Sequence, residues 1–162
     1  MTKKITRAGL LVALALLLSY IENFLPLNPG IPGLKLGLAN LVTLTAFYFL
    51  DIREVLAITL IRILFTGFFA ANLTALLFSL AGGCCSFLAM LLALRTQLFS
   101  PMGVSLVGGA VHNLAQLGTA VLLLQSSSLL SLLPLLLLAG ILTGALNGLL
   151  ALGIIRVLQK NC

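Results

Sequence analysis

Charge is what this sequence has least of. Only 7% of its 162 residues are Asp, Glu, Lys or Arg, against about 25% in an ordinary soluble domain. Three residues are acidic, and Asp51 is the single aspartate. One aspartate excludes the clustered carboxylates that hold Mg²⁺ against a diphosphate. No Gly-rich phosphate loop with its Lys is present, so the chain is not expected to hydrolyse ATP itself. His112 is the single histidine and has no acid within its own apolar segment, which argues against a Ser-His-acid constellation. Stand-alone enzymatic chemistry is therefore not expected, and neither is a cofactor. Three cysteines give neither a disulfide framework nor a metal-ligand spacing. Cys84 and Cys85, beside Gly82 and Gly83, read as small packing residues. Trp is absent and Tyr occurs twice, too few for the aromatic girdles of a lipid-facing barrel.

Apolar length fills the space that charge leaves. Hydrophobic residues make up 61% of the chain, more than a water-soluble exterior can hide. Apolar stretches run over about 5–21, 36–50, 55–69, 73–94, 102–124 and 132–158, separated by charged or turn-forming residues. A helix rises about 1.5 Å per residue, so roughly 20 residues cross a ~30 Å hydrocarbon core. The expectation is an all-α integral membrane protein. Residues 1–162 would form a single transmembrane domain, a compact bundle of about six transmembrane helices, multi-pass in the cell membrane and in contact with lipid. The second and third stretches are short, and one long hairpin dipping into the membrane is an alternative there. Lys3 and Lys4 before an apolar run resemble a signal peptide. No small-residue cleavage pattern follows, and the run is read as a retained first span.

Basic residues near span ends stay on the cytoplasmic side. With the N-terminus inside, Lys3, Lys4, Arg7, Arg53, Arg95, Arg156 and Lys160 fall inside, Lys35 falls outside and Arg62 lies within a span. This places the N- and C-termini in the cytoplasm and explains the net charge of +6 without a nucleic-acid partner.

Polar residues within the apolar stretches mark candidate function, because an ionisable group in hydrocarbon faces protein or a wet cavity. Arg62 shares a helical face with Thr59 and Thr66. Two of the three acids lie in the 51–54 turn, which leaves Arg62 short of partners and with room for an anionic ligand. Snorkelling to the interface or pairing with Glu22 are the other readings. Ser105, Gly109, His112, Gln116 and Thr119 recur at steps of four, three, four and three, forming one stripe. Asn113 lies on the adjacent face, and His112 reads equally as a ligand contact or a satisfied core residue. Gly140, Gly144 and Gly148 form a small-xxx-small face suited to close helix packing, within the bundle or with a partner. A Pro/Gly-rich loop at 24–35 is placed to form a lid over an outer pocket. Lys35, Arg62 and, if protonated, His112 would supply positive charge there, and Asn40, Asn72, Asn113 and Gln116 hydrogen bonds.

Four segments carry a family resemblance: Pro32-Gly33-Leu34-Lys35-Leu36-Gly37-Leu38-Ala39-Asn40, Arg62, Ser79-Leu80-Ala81-Gly82-Gly83 and Val111-His112-Asn113-Leu114-Ala115-Gln116. Together they resemble the Gx transporter family, also described as heptaprenyl diphosphate synthase component I, over about 5–158. That family resembles the substrate-binding S components of energy-coupling-factor (ECF) transporters. The resemblance implies a six-helix bundle that captures a small anionic or amphipathic molecule near its outer face. A membrane coupling subunit and a cytosolic ATPase pair would be its partners. Small residues on the first helix of S components contact the coupling subunit, and here Gly9 and Ala13 stand at that place. The synthase description implies instead a non-catalytic membrane subunit or anchor that assists polyprenyl diphosphate synthesis beside a soluble prenyl diphosphate synthase subunit.

Overall fold

The computed structural model describes residues 2–24, 37–70 and 73–160. Among these residues the chain is helical, with no strand. In chain order the elements are α1 (Thr2–Phe24), α2 (Asn40–Phe47), α3 (Ile52–Ala70), α4 (Leu73–Thr96), α5 (Pro101–Leu124), a 3₁₀ turn (Ser127–Leu132) and α6 (Leu133–Lys160).

The few polar residues outside the core set the helix ends. Glu54 reaches back from the first turn of α3 and its Oε2 accepts from Asp51 N at 2.9 Å. One of the three acids thereby caps the start of α3. Ser100 caps α5, its Oγ accepting from Gly103 N at 3.3 Å. Pro101 follows at the first helical position, where its missing N–H costs nothing. Gln125 closes α5 in the left-handed region at φ 47°.

Three segments, Leu73–Thr96, Pro101–Leu124 and Ser127–Leu158, are long and apolar enough to cross a membrane, with mean hydropathies of 2.1, 1.4 and 2.3. A shorter apolar stretch, Ala8–Glu22, lies in α1. The surface is inverted relative to a soluble protein. Leu10, Leu64, Phe68, Leu92, Leu122 and Leu149 point outward, while Ser19, Glu22, Asn40, Arg62, Ser86, His112, Gln116 and Asn147 are buried. That distribution fits a membrane protein, for which lipid tails are the outer solvent.

The apolar run at 36–50 does not form a full-length span. Its helix, α2, has eight residues and is about 12 Å long at 1.5 Å per residue. Seven of those eight residues are buried, because α2 runs through the centre with α1, α3, α4, α5 and α6 against it. Val42 and Ala46 on one face of it join Leu11, Ala15, Leu50, Val55, Ile58 and Phe87 in one apolar cluster. Leu41 and Leu44 join Met90, Val104, Ala151 and Ile155 in another.

The closest helix pair is α5 with α6. A Cβ added at Gly140 would meet the Gly109 carbonyl oxygen at 2.6 Å, and one at Gly144 would meet the Ser105 carbonyl at 2.8 Å. At Gly148 it would come within 3.0 Å of Met102 Cα. The glycine face of α6 is therefore occupied by α5 of the same chain and offers no free surface for a second copy. Backbone-to-backbone approach of this kind is how helices associate where burial of apolar side chains gives no advantage over lipid.

From α3 onward successive long helices run in opposite directions, whereas α1 and α3 run the same way. Asp51, Arg53 and Glu54 begin α3, Arg95 ends α4, and Arg156 and Lys160 end α6, so the charges gather at one end of the bundle. The polar interior lies toward the other.

A buried polar cleft as candidate functional site

Four helices contribute to one cleft. Ser19 and Glu22 come from the last turns of α1, Arg62 and Ile63 from α3, Ser79 from α4, and His112 and Gln116 from α5. The enclosed space between these side chains has room for about one water molecule, far below the ~300–1,000 Å³ of typical ligand pockets, so a larger ligand must move the side chains around it. A ligand that enters without widening the bundle must be small. Ser79 and Arg95 are sixteen residues apart on α4, which is roughly 24 Å along the axis, so the cleft is well removed from the charged end.

Glycines on α4 create the cleft. A Cβ at Gly82 would fall 2.8 Å from His112 Cε1, and one at Gly83 would fall 3.2 Å from Arg62 Nη2 and 2.7 Å from Ile63 Cδ1. The paired glycines let the imidazole of α5 and the guanidinium of α3 close in on the same stretch of α4. Gly37 does the same from beneath. It holds φ +81°, and a Cβ there would stand 3.1 Å from His112 Cδ2. Only glycine adopts that backbone without strain and leaves room for the ring.

Gly37 is also where the cleft joins α2. Glu22 accepts hydrogen bonds at Oε1 from the backbone N–H groups of Gly37 and Leu38. The Gly37 carbonyl accepts from Asn147 Nδ2 at 3.1 Å and from Asn40 N at 2.9 Å. One residue thereby ties together α1, the start of α2 and α6. Below it, Ser86 Oγ donates to Asn40 Oδ1 at 3.3 Å. In the cleft wall, Gln116 Nε2 lies 3.1 Å from His112 Nε2.

Arg62 is not short of an acidic neighbour. Glu22 lines the same cleft and acts on the guanidinium electrostatically, although forty residues separate the two in sequence. The reading of Arg62 as a cation lacking partners is corrected accordingly. What does lack a partner is a pair of individual atoms. Arg62 Nε and Ser79 Oγ are buried and form no hydrogen bond, in residues 6% and 7% exposed.

Of the residues singled out in the sequence, the structure brings Arg62, His112 and Gln116 together. It leaves two others outside the lining. Asn113 turns to α6, where Nδ2 donates to the Leu136 carbonyl at 2.8 Å. Asn40 lies below the cleft, bonded to Ser86. The stripe on α5 divides likewise: Ser105 and Gly109 face α6 and its glycines, while His112 and Gln116 face the cleft. Lys35, Asn72 and the 25–36 loop lie outside the described residues. Gly9 and Ala13 are exposed on α1, and a Cβ at Gly9 would meet nothing within 4 Å. Among the described residues, no three His, Cys, Asp or Glu side chains are grouped so as to hold a metal ion. Sequence reasoning missed Ser19 and Ser79 as lining residues. The signal was present in their helical spacing: Ser19 stands three residues before Glu22, and Ser79 three before Gly82 and seven before Ser86.

The heptaprenyl diphosphate synthase component I family model matches residues 11–154, a stretch that contains every residue lining the cleft. No match was found among curated proteins or among solved structures. The chain belongs to the heptaprenyl diphosphate synthase component I family.

Proposed function

We propose that this member of the family is a non-catalytic, substrate-capturing membrane subunit resembling the S components of ECF transporters. It takes a small polar molecule into the cleft from the outer side of the cell membrane. A separate membrane coupling subunit and a cytosolic ATPase pair supply the work of transport. The observation that carries this reading is the pair of unbonded polar atoms, Arg62 Nε and Ser79 Oγ, in one cleft. A buried polar group left unsatisfied costs about 1–3 kcal/mol, so the arrangement favours an occupant that hydrogen-bonds to both.

The orientation follows from charge. Arg53, Arg95, Arg156 and Lys160 are exposed at the end opposite the cleft, and the positive-inside rule assigns that end to the cytoplasm. The bundle then crosses six times with both termini inside. The segment through α2 makes the return from the end of α1 to the start of α3. Gly9 and Ala13, exposed on α1, form a small-residue surface for the coupling subunit.

The family description supports a second reading, in which the chain is a membrane subunit assisting a soluble prenyl diphosphate synthase. In that case the cationic end, with Arg53, Arg95 and Arg156, meets the partner or a lipid diphosphate. The two readings place the ligand at opposite ends of the bundle. Native mass spectrometry of the protein purified from its own membrane separates them. The transporter reading expects a bound small molecule that is lost in Arg62→Gln and kept in Arg95→Gln, and the opposite pattern favours the synthase reading.

A further inference from the structure

The cleft contains both signs of charge. Glu22 and Arg62, 7% and 6% exposed, line one cavity whose other walls are Ser19, Ile63, Ser79, His112 and Gln116. We propose that this cavity is charge-balanced and selects a ligand of zero net charge, an uncharged polar molecule or a zwitterion, with Glu22 as the specificity-determining residue that turns small anions away. The inference rests on the reading that the cleft receives a ligand, and it narrows the class of that ligand.

Three features fix the balance. Arg62 is a guanidinium, which does not deprotonate in proteins. Glu22 Oε1 accepts from two backbone donors, the N–H groups of Gly37 and Leu38, an arrangement that favours a carboxylate. The two donors stand at the start of α2, where the helix end also favours negative charge. His112 contributes no charge in this arrangement. With Gln116 Nε2 donating across the 3.1 Å contact, His112 Nε2 accepts and the ring is taken as neutral. Among the described residues, no other lining side chain is ionisable.

A charge added to such a site meets no further counter-ion among the described residues. Inside a protein, and more so within a bilayer, a carboxylate without a compensating cation loses its hydration and recovers little of it. The unbonded atoms ask for less than a charge. Arg62 Nε needs one acceptor, and a carbonyl or hydroxyl oxygen provides it. Ser79 Oγ can donate or accept. An amide, an alcohol, a polar heterocycle or a zwitterion meets both without unbalancing the cavity. The cation in span three alone points to an anionic ligand, and the carboxylate contributed by α1 removes that reason.

The test reads the cavity's charge selectivity directly and needs no knowledge of the natural ligand. Ser79→Cys is introduced into the full chain with Cys84, Cys85 and Cys162 replaced by Ala. Its modification is timed with three methanethiosulfonates of similar size: 2-sulfonatoethyl (anionic), 2-hydroxyethyl (neutral) and 2-trimethylammonioethyl (cationic). Each rate is divided by that reagent's rate with a small free thiol. The ratio of anionic to neutral rate cancels any change in thiolate fraction.

With Glu22 and Arg62 both present, the anionic reagent should lag the neutral one by roughly tenfold or more. Glu22→Gln, which keeps an oxygen for Gly37 N, should raise that ratio by roughly tenfold. Arg62→Gln should lower it and favour the cationic reagent, so the proposal remains testable if one of the two variants fails to fold. An anionic reagent that reacts as fast as the neutral one, with a ratio indifferent to both substitutions, overturns charge selection while leaving an accessible cleft. Failure of the neutral reagent to modify Cys at position 79 in any of these proteins overturns the cleft as a binding site, and the present inference with it.

Discussion

Substituting Gly140 with Ala sets two sizeable effects against each other. Ala is the better helix former by about 1 kcal/mol, so on propensity alone the change stabilises α6. The structure opposes it. The new methyl carbon would lie 2.6 Å from the Gly109 carbonyl oxygen, 3.0 Å from its carbonyl carbon and 3.1 Å from Ala110 Cα. All three atoms are backbone and cannot rotate away, so α5 and α6 must separate along their whole contact. Overpacking of that kind costs typically 1–3 kcal/mol, and Ser105, Gly109 and Gly144 lose close approach at the same time. The expected net effect is a destabilisation of up to about 2 kcal/mol, and of about 1–3 kcal/mol relative to a glycine-to-alanine change that meets no neighbour. Gly118→Ala and Gly153→Ala are the controls, because a Cβ at either meets nothing within 4 Å. Those two should be neutral or stabilising by up to about 1 kcal/mol. SDS titration of the purified protein in mild detergent, followed by helicity, measures the three side by side. Stabilities within about 0.5 kcal/mol of one another would refute the argument that α5 and α6 touch through their backbones.

Two further outcomes follow from the cleft and its base. Gly82→Ala places a methyl 2.8 Å from His112 Cε1 and 3.0 Å from Gln116 Cγ. These are side-chain atoms, so thermal stability should fall by only about 1 kcal/mol while the bound small molecule seen by native mass spectrometry is lost; full retention would contradict the assigned lining. Asn147→Leu removes the donor to the Gly37 carbonyl, which still accepts from Asn40 N. A loss of roughly 0.5–1.5 kcal/mol is expected, read as a lower unfolding midpoint in SDS, and an unchanged midpoint would remove Asn147 from the account of how α2 is anchored.

The two ends of the chain's logic were unequally visible in its residues. Approximate helix limits were legible, because charged or turn-forming residues such as Asp51, Arg53 and Glu54 separate the apolar stretches; the caps at Ser100 and Glu54 came only with the structure. His112 and Gln116 were legible as a pair because a single helix turn separates them. The length of α2 was not. A run of apolar residues looks the same whether lipid or protein surrounds it, and Leu41 to Ala46 are covered by five other helices rather than by lipid. Glu22 was one of the readings open for Arg62, but the residues alone did not select it. Glu22 stands at the far end of a different helix, and only tertiary packing brings it into the same cleft. Asn113 shows the limit of stripe reasoning, since a neighbouring position on α5 is rotated by about 100° and reaches the Leu136 carbonyl instead of the cleft. The glycines were visible as a pattern, but what each one admits was not: a helix backbone at Gly140, an imidazole at Gly82 and a guanidinium at Gly83.

The central claim is that this protein captures a substrate for a transporter rather than assisting a synthase. Purifying the tagged protein in mild detergent from its native membrane, and identifying what comes with it, tests that claim most directly. The account predicts a second integral membrane protein together with a pair of ATPases. Recovery of a soluble prenyl diphosphate synthase in their place would contradict it.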